Sequence, residues 1–348
     1  MENSLAIKIQ AIISKCADDE DLLFQLKKLV YENDLKTGTI RDSKSIYELY
    51  AENLSRALGP AENDNIIKSG FTDLDNAMGG FLPGEFVVIG GRPGMGVTQL
   101  QMNLALNISK AVPVQFFTYD FSANNLTNRF MVTLSGIETY KIRRHELTED
   151  EQKKLTSLDS EMASRKLFIN DSCSNSITAL KKHCLEQIKD HGIKVIFVDY
   201  IQKMSSNRYR NNREQEVSYI SKELKDLARD NDVCVIASSQ LSRQVESRYG
   251  GSRKPQLTDL RDSGAIEQDA DKVIFLYRPE YYGILEDEDG NSTAKKANLI
   301  LAKNRSGACY DVWITSNRNF TSFIDFDGFK NDFSFAPSRL TELENPSF

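Results

Sequence analysis

Residues Phe86–Leu100 read FVVIGGRPGMGVTQL. Four consecutive apolar residues, Phe86 to Ile89, run into a glycine-dense turn. From Thr98 onward, TQLQMNLAL reads as an amphipathic helix. A buried strand, a glycine loop and a helix N-terminus together form a phosphate-cradling unit, in which backbone N–H groups and the helix dipole face an anion. Against the signature GxxxxGK[ST], Gly91, Gly96 and Thr98 fit, with Arg92 and Gly94 inside the loop. The lysine does not fit. Position 97 is valine, which removes the cation that would reach the β- and γ-phosphates.

At 348 residues the chain has room for one large domain and a small accessory piece. It is 40% hydrophobic and 27% charged, within the ordinary range for a globular protein. No apolar run approaches the ~20 residues of a membrane span, and MENSLAIKIQ lacks a basic-then-apolar leader, so an intracellular, cytoplasmic protein is expected. The net charge of -6 argues against a uniformly basic nucleic-acid binder but leaves room for local basic patches. Cys16, Cys173, Cys184, Cys234 and Cys309 show no CxxC spacing and read as buried, reduced thiols.

Residues 1–65 read as a short all-α segment. Leu5 to Ile13 and Leu22 to Val30 carry apolar residues near helical spacing. Asp42-Ser43 offers a cap for a third helix ending at Gly59-Pro60. From Gly70 strands alternate with helices, the α/β signature. Strands are expected at Glu85–Ile89, Val114–Thr118, Leu167–Asn170, Val195–Val198, Val233–Ala237, Val273–Tyr277 and Ala297–Ala302. Helices are expected near 98–110, 122–134, 148–162, 176–190 and 213–230. Several strands are continuous apolar runs, as in sheets covered on both faces. The last third loses its helices and reads as antiparallel strands at one sheet edge. The tail 334–348 is polar and reads as loosely held.

Three further strand ends carry chemistry. Val195–Asp199 is apolar and ends in an acid, the carboxylate that holds Mg²⁺ near a P-loop hydroxyl such as that of Thr98. Phe116–Asp120 ends in an acid placed to polarise an attacking water, although an acid there also serves as a helix cap. Val235–Gln240 ends in small hydroxyls and an amide suited to sensing a γ-phosphate. Together these ends would line one edge of a parallel sheet, the ligand edge of open α/β folds.

Two loops are candidates for nucleic acid: Lys203–Arg213 with Arg208, Arg210 and Arg213, and Arg243–Arg261 with Arg248 and Arg261. Either loop alone reads as a solvated face. Two in succession after neighbouring strands suit backbone contact with a single strand. Lys303 and Arg305 follow an apolar strand, and their spacing fits either a surface ion-pair cluster or an arginine finger presented to a neighbour. The three histidines show no metal spacing.

The segments GGRPGMGVT, FFTYDFS, VIFVDYIQKM, SSQLSRQVESR, PQLTDLRDSGAIEQDADKVIFLYR and ILAKNRSG resemble DnaB-type replicative helicases, in the same order and over roughly residues 66–326. The resemblance implies a RecA-like P-loop NTPase fold at 66–333 that uses ATP and Mg²⁺. It also implies a hexameric ring around single-stranded DNA. By the same resemblance Thr98 and Asp199 hold the metal, and Gln240 senses phosphate. Lys303 and Arg305 reach the adjacent subunit's phosphates, and Arg261, Asp262 and Gly264 belong to the loop that grips DNA. The helix near 43–58 resembles the linker helix that packs on the next subunit.

The chain departs from the family pattern at three points: Val97 replaces the P-loop lysine, Asp120 replaces a glutamate, and the N-terminal segment is short. Losing a preorganised cation costs roughly 3–4 kcal/mol in rate, and misplacing a base by about 1 Å costs ~100-fold. Two readings follow. One is a helicase with impaired hydrolysis, with Arg92 or a neighbour's Lys303 substituting for the lysine. The other is a non-catalytic ring or adaptor subunit that binds DNA or a partner helicase.

Overall fold

The computed structural model describes Ile12, residues 45–59 and residues 65–326, apart from 207, 210, 211, 249–252, 261–263, 288, 289, 318 and 319. Two compact units divide between Asp64 and Asn65. In the first, the described element is the helix Ile46–Leu58. Its cap is Ser45: the Ser45 Oγ accepts from the Glu48 N–H, and the Ser45 N–H donates to Glu48. The expected cap Asp42-Ser43 lies outside the described residues, as do the two expected helices before it apart from Ile12, which is helical. Ile46, Tyr47, Tyr50, Leu54 and Leu58 of this helix are exposed.

The second unit is built on one nine-stranded sheet: β1 (Phe86–Gly91), β2 (Val114–Thr118), β3 (Leu167–Asn170), β4 (Val195–Asp199), β5 (Cys234–Gln240), β6 (Lys272–Tyr277), β7 (Lys296–Asn304), β8 (Asp311–Ser316) and β9 (Phe323–Asp325). Their order is β3-β2-β4-β5-β1-β6-β7-β8-β9. The strands from β3 to β6 pair in parallel, and β6 to β9 pair antiparallel, as expected for the final third. Strands β1, β2, β4 and β6 are buried along their whole length, because helices cover both faces. One core packs Phe81, Leu104 and Phe116, and the other packs Val88, Phe117 and Leu224.

The register sets the site. Gly91 lies opposite Gln240, and Thr118 lies opposite Asp199, so the C-terminal ends of β2, β4, β5 and β1 stand level at one edge. The helix expected over 148–162 is two helices, Glu149–Ser157 and Asp159–Ser164. Ser157 Oγ donates back to the Lys154 carbonyl and the Leu158 N–H bonds Leu155, a tightened turn that ends the first helix. Among the described cysteines none is in a disulfide. Cys184 and Cys234 are buried, but Cys309 is exposed, against the expectation of buried thiols throughout. Among the described residues no helix is long and apolar enough to cross a membrane.

Candidate functional site

The Gly91–Thr98 loop turns twice through left-handed backbone, at Gly94 (φ 84°) and Gly96 (φ 98°), conformations that a side chain would strain. Gly96 caps the helix Val97–Ile108 and contributes no side-chain hydrogen bond to its first turn. The first N–H groups therefore look to solvent or to a ligand for acceptors. Val97 turns its side chain back over the loop: a Cβ added at Gly91 would stand 2.4 Å from Val97 Cγ2. The valine thus fills space against the loop where the signature has a cation.

Beside this loop, Thr98 Oγ1 donates to Asp199 Oδ2 at 2.8 Å, and Ser238 Oγ donates to Asp199 Oδ1 at 2.7 Å. Asp199 is 2% exposed. Burial pushes its pKa up, while the Ser238 and Thr98 hydrogen bonds pull it down. A hydroxyl and a buried carboxylate drawn together in this way match the donor chemistry of a Mg²⁺ site that keeps several waters. Among the described residues no group of three or more His, Cys, Asp or Glu could hold a metal by itself.

Asp120 stands at the mouth, where Lys203 Nζ lies 3.1 Å from its Oδ1. Gln202 clamps the end of β5: its Nε2 donates to Ser239 Oγ at 2.9 Å and its Oε1 accepts the Gln240 N–H at 3.1 Å. These groups enclose an open cleft of about 620 Å³. Gly91, Arg92, Gly94, Gly96, Thr98 and Gln99 line one side. Asp120, Asp199, Ser238 and Gln240 line the sheet edge. All eight residues expected at the P-loop, metal, base and sensor positions meet here.

Residues 66–325 match the family model of the DnaB-like helicase C terminal domain. The chain belongs to the DnaB-like helicase family. It is 32% identical over 313 residues to the replicative DNA helicase DnaC of Bacillus subtilis (strain 168), an alignment covering 88% of this chain and 67% of that one. It is 34% identical over 264 residues to the replicative DNA helicase DnaB of Geobacillus stearothermophilus, covering 75% of this chain and 57% of that one. A solved DnaB-like replicative helicase, described with its interactions with primase, superposes with TM-score 0.74 at 28% identity over 94% of this chain and 76% of the other. A solved ATPase domain, 31% identical with TM-score 0.73, is covered whole by 82% of this chain. The fold of the second unit is accordingly the RecA-like fold of DnaB ATPase domains.

Other positions implied by the DnaB-like resemblance lie away from the cleft. Lys303 Nζ donates to the carbonyls of Glu267 and Gln268. Arg305 bonds Asp271 Oδ1 at 3.1 Å and the Gln268 carbonyl. Both cations thus sit at the C-terminal end of the helix Gly264–Asp269, where the carbonyl dipoles favour positive charge. Burial and then Arg305 lower the Lys303 pKa. Gly264 opens that helix, while Arg261, Asp262 and Arg210 lie outside the described residues.

Of the remaining basic residues, Arg213 donates to the Gln202 carbonyl at 2.8 Å and the Met204 carbonyl at 3.1 Å, and Arg248 holds Asp259. Arg208 lies over the rings of Tyr209 and Tyr219.

Sequence reasoning missed the opposite wall of the cleft. The helix Ala123–Ser135 presents Asn125, Asn128, Arg129 and Val132 to it, and Arg143 adds a second guanidinium. The i, i+3, i+4, i+7 spacing of those four residues was the available signal.

Proposed function

We propose that this chain is a DnaB-like replicative helicase subunit that binds ATP with Mg²⁺, acts on single-stranded DNA in replication, and hydrolyses nucleotide poorly. The observation that carries the reading is the Thr98–Asp199–Ser238 arrangement, kept intact in a cleft whose loop cation is replaced by Val97. Thr98 and Asp199 would hold Mg²⁺, which supplies charge neutralisation at the phosphates when bound. The first-turn amides of Val97–Ile108 would cradle phosphate oxygens, and Gln240, held by Gln202, would report on the terminal phosphate.

Asp120 is the base position. Its carboxylate is one methylene shorter than the family's glutamate and is tied to Lys203, which would hold it short of an attacking water. Arg305 and Lys303 would act on a neighbouring subunit's nucleotide in a homo-oligomer, hexameric as in the family, placed in the cytoplasm.

A second reading, a ring or adaptor subunit that assembles with another helicase without turnover, draws on the exposed apolar residues of Ile46–Leu58. Steady-state ATPase with and without single-stranded DNA separates the two. Weak but DNA-stimulated turnover supports the first reading. Nucleotide binding with no turnover, even in the presence of DNA, supports the second.

A further inference from the structure

Among the described residues four arginines line the cleft: Arg92, Arg129, Arg143 and Arg278. Two are committed to protein groups. Arg92 bonds Glu246 at 2.9 Å and the Leu241 carbonyl at 2.8 Å. Arg278 bonds the Gly94 carbonyl at 3.2 Å and lies 3.4 Å over the Phe320 ring. A neighbour's Lys303, the other candidate substitute, would first have to leave the Glu267 and Gln268 carbonyls that hold it in its own subunit.

Arg129 differs. It is half-buried, its guanidinium lies 4.0 Å over the Phe121 ring, and among the described residues no carboxylate pairs with it. Arg143 shares the wall, and among the described residues no carboxylate pairs with it either. The two guanidiniums repel: burial, then Arg143, lowers the Arg129 pKa. Among the described residues Asp199 acts in the opposite sense, and its oxygens already accept from Thr98 and Ser238. A desolvated guanidinium beside a like charge is costly unless an anion joins it. The planar fork of arginine suits phosphate oxygens.

We propose that Arg129, reinforced by Arg143, is the cation that seats the polyphosphate tail in this cleft, in place of the lysine missing at position 97. The charge then comes from the helix Ala123–Ser135 across the cleft instead of from the loop. This rests on the nucleotide reading given above, and it differs from that reading in what it requires of one side chain.

The test is calorimetric titration of the full chain with the Mg²⁺ complexes of ATP, ADP and pyrophosphate and with AMP. Wild type is compared with Arg129→Met, Arg129→Lys and Arg129→Met/Val97→Lys, each first shown to melt cooperatively near the wild-type temperature. Arg129→Met is expected to weaken ATP on the order of 10–100-fold, the reach of a charged hydrogen bond, and AMP far less. Arg129→Lys, which keeps the charge but not the fork, should lose less than Arg129→Met, and the added Val97→Lys should restore what Arg129→Met loses.

Wild-type ATP affinity in Arg129→Met, or an equal loss for ATP and AMP, overturns the inference and leaves the nucleotide reading standing. Pyrophosphate bound as tightly as ATP, with the same Arg129 dependence, upholds the inference and removes the nucleotide reading. If wild type binds none of the probes, both fall.

Discussion

Thr98 and Asp199, 101 positions apart in the chain, share a 2.8 Å hydrogen bond at the level edge of β4 and the loop after β1. This hydroxyl, that of Ser238 and the Arg129 charge together compensate a carboxylate that is 2% exposed.

Compensation is incomplete, since burial still raises the Asp199 pKa. A group whose folded pKa exceeds its unfolded value stabilises below the unfolded pKa, and that stabilisation is lost as pH rises through the folded value. In metal-free buffer Asp199→Asn is therefore expected to melt above wild type. The gap should widen as pH rises through the raised Asp199 pKa and then flatten, at about a few °C. Thermal melts across a pH series check this, and a gap independent of pH would count against it. If Asp199 holds Mg²⁺ as proposed, the order should reverse with Mg²⁺ and nucleotide present.

Hydrolysis should respond to both substitutions in the chemistry. Val97→Lys returns a loop cation, and Asp120→Glu lengthens by one methylene the side chain proposed as base. Together they are expected to raise DNA-stimulated ATPase by roughly 100-fold or more, with each alone giving less. Phosphate release measured on the four variants of the cycle decides it. No gain in the double variant would place the defect elsewhere.

A structural prediction concerns Lys272 and Glu85. Lys272 is fully buried, and its Nζ contacts Glu85 at 2.6 Å and the Gly80 carbonyl at 3.0 Å. Lys272→Met strands the Glu85 carboxylate and should cost about 3–5 kcal/mol. Lys272→Met/Glu85→Gln should recover a good part of that. Urea denaturation of both variants supplies the comparison.

Gly96 sits at φ 98°. A Cβ there would lie 3.4 Å from Phe323 Cζ, an ordinary contact, so the penalty for Gly96→Ala is backbone strain rather than collision. A loss of roughly 1–3 kcal/mol in stability is expected, together with weaker nucleotide binding as the loop opens. A melt within 1 °C of wild type would show that the loop relaxes freely.

The sequence by itself determined the α/β alternation, the antiparallel finish and the loop and sheet-edge side of the cleft. The apolar runs Phe86–Ile89, Val195–Val198 and Val235–Ala237 suit only strands covered on both faces. Parallel βα units deliver every strand's C-terminal end to the same edge, so Gly91, Asp120, Asp199 and Gln240 had to meet. Tertiary structure alone decided which partner each polar group found. Ser238 reaches Asp199 because β4 and β5 are neighbours. Lys303 and Arg305 end on the carbonyls of Gly264–Asp269 because β7 runs antiparallel beside β6. Arg129 lines the cleft because its helix, Ala123–Ser135, packs across from the loop. Such pairings depend on distances between segments far apart in the chain, which local periodicity does not encode.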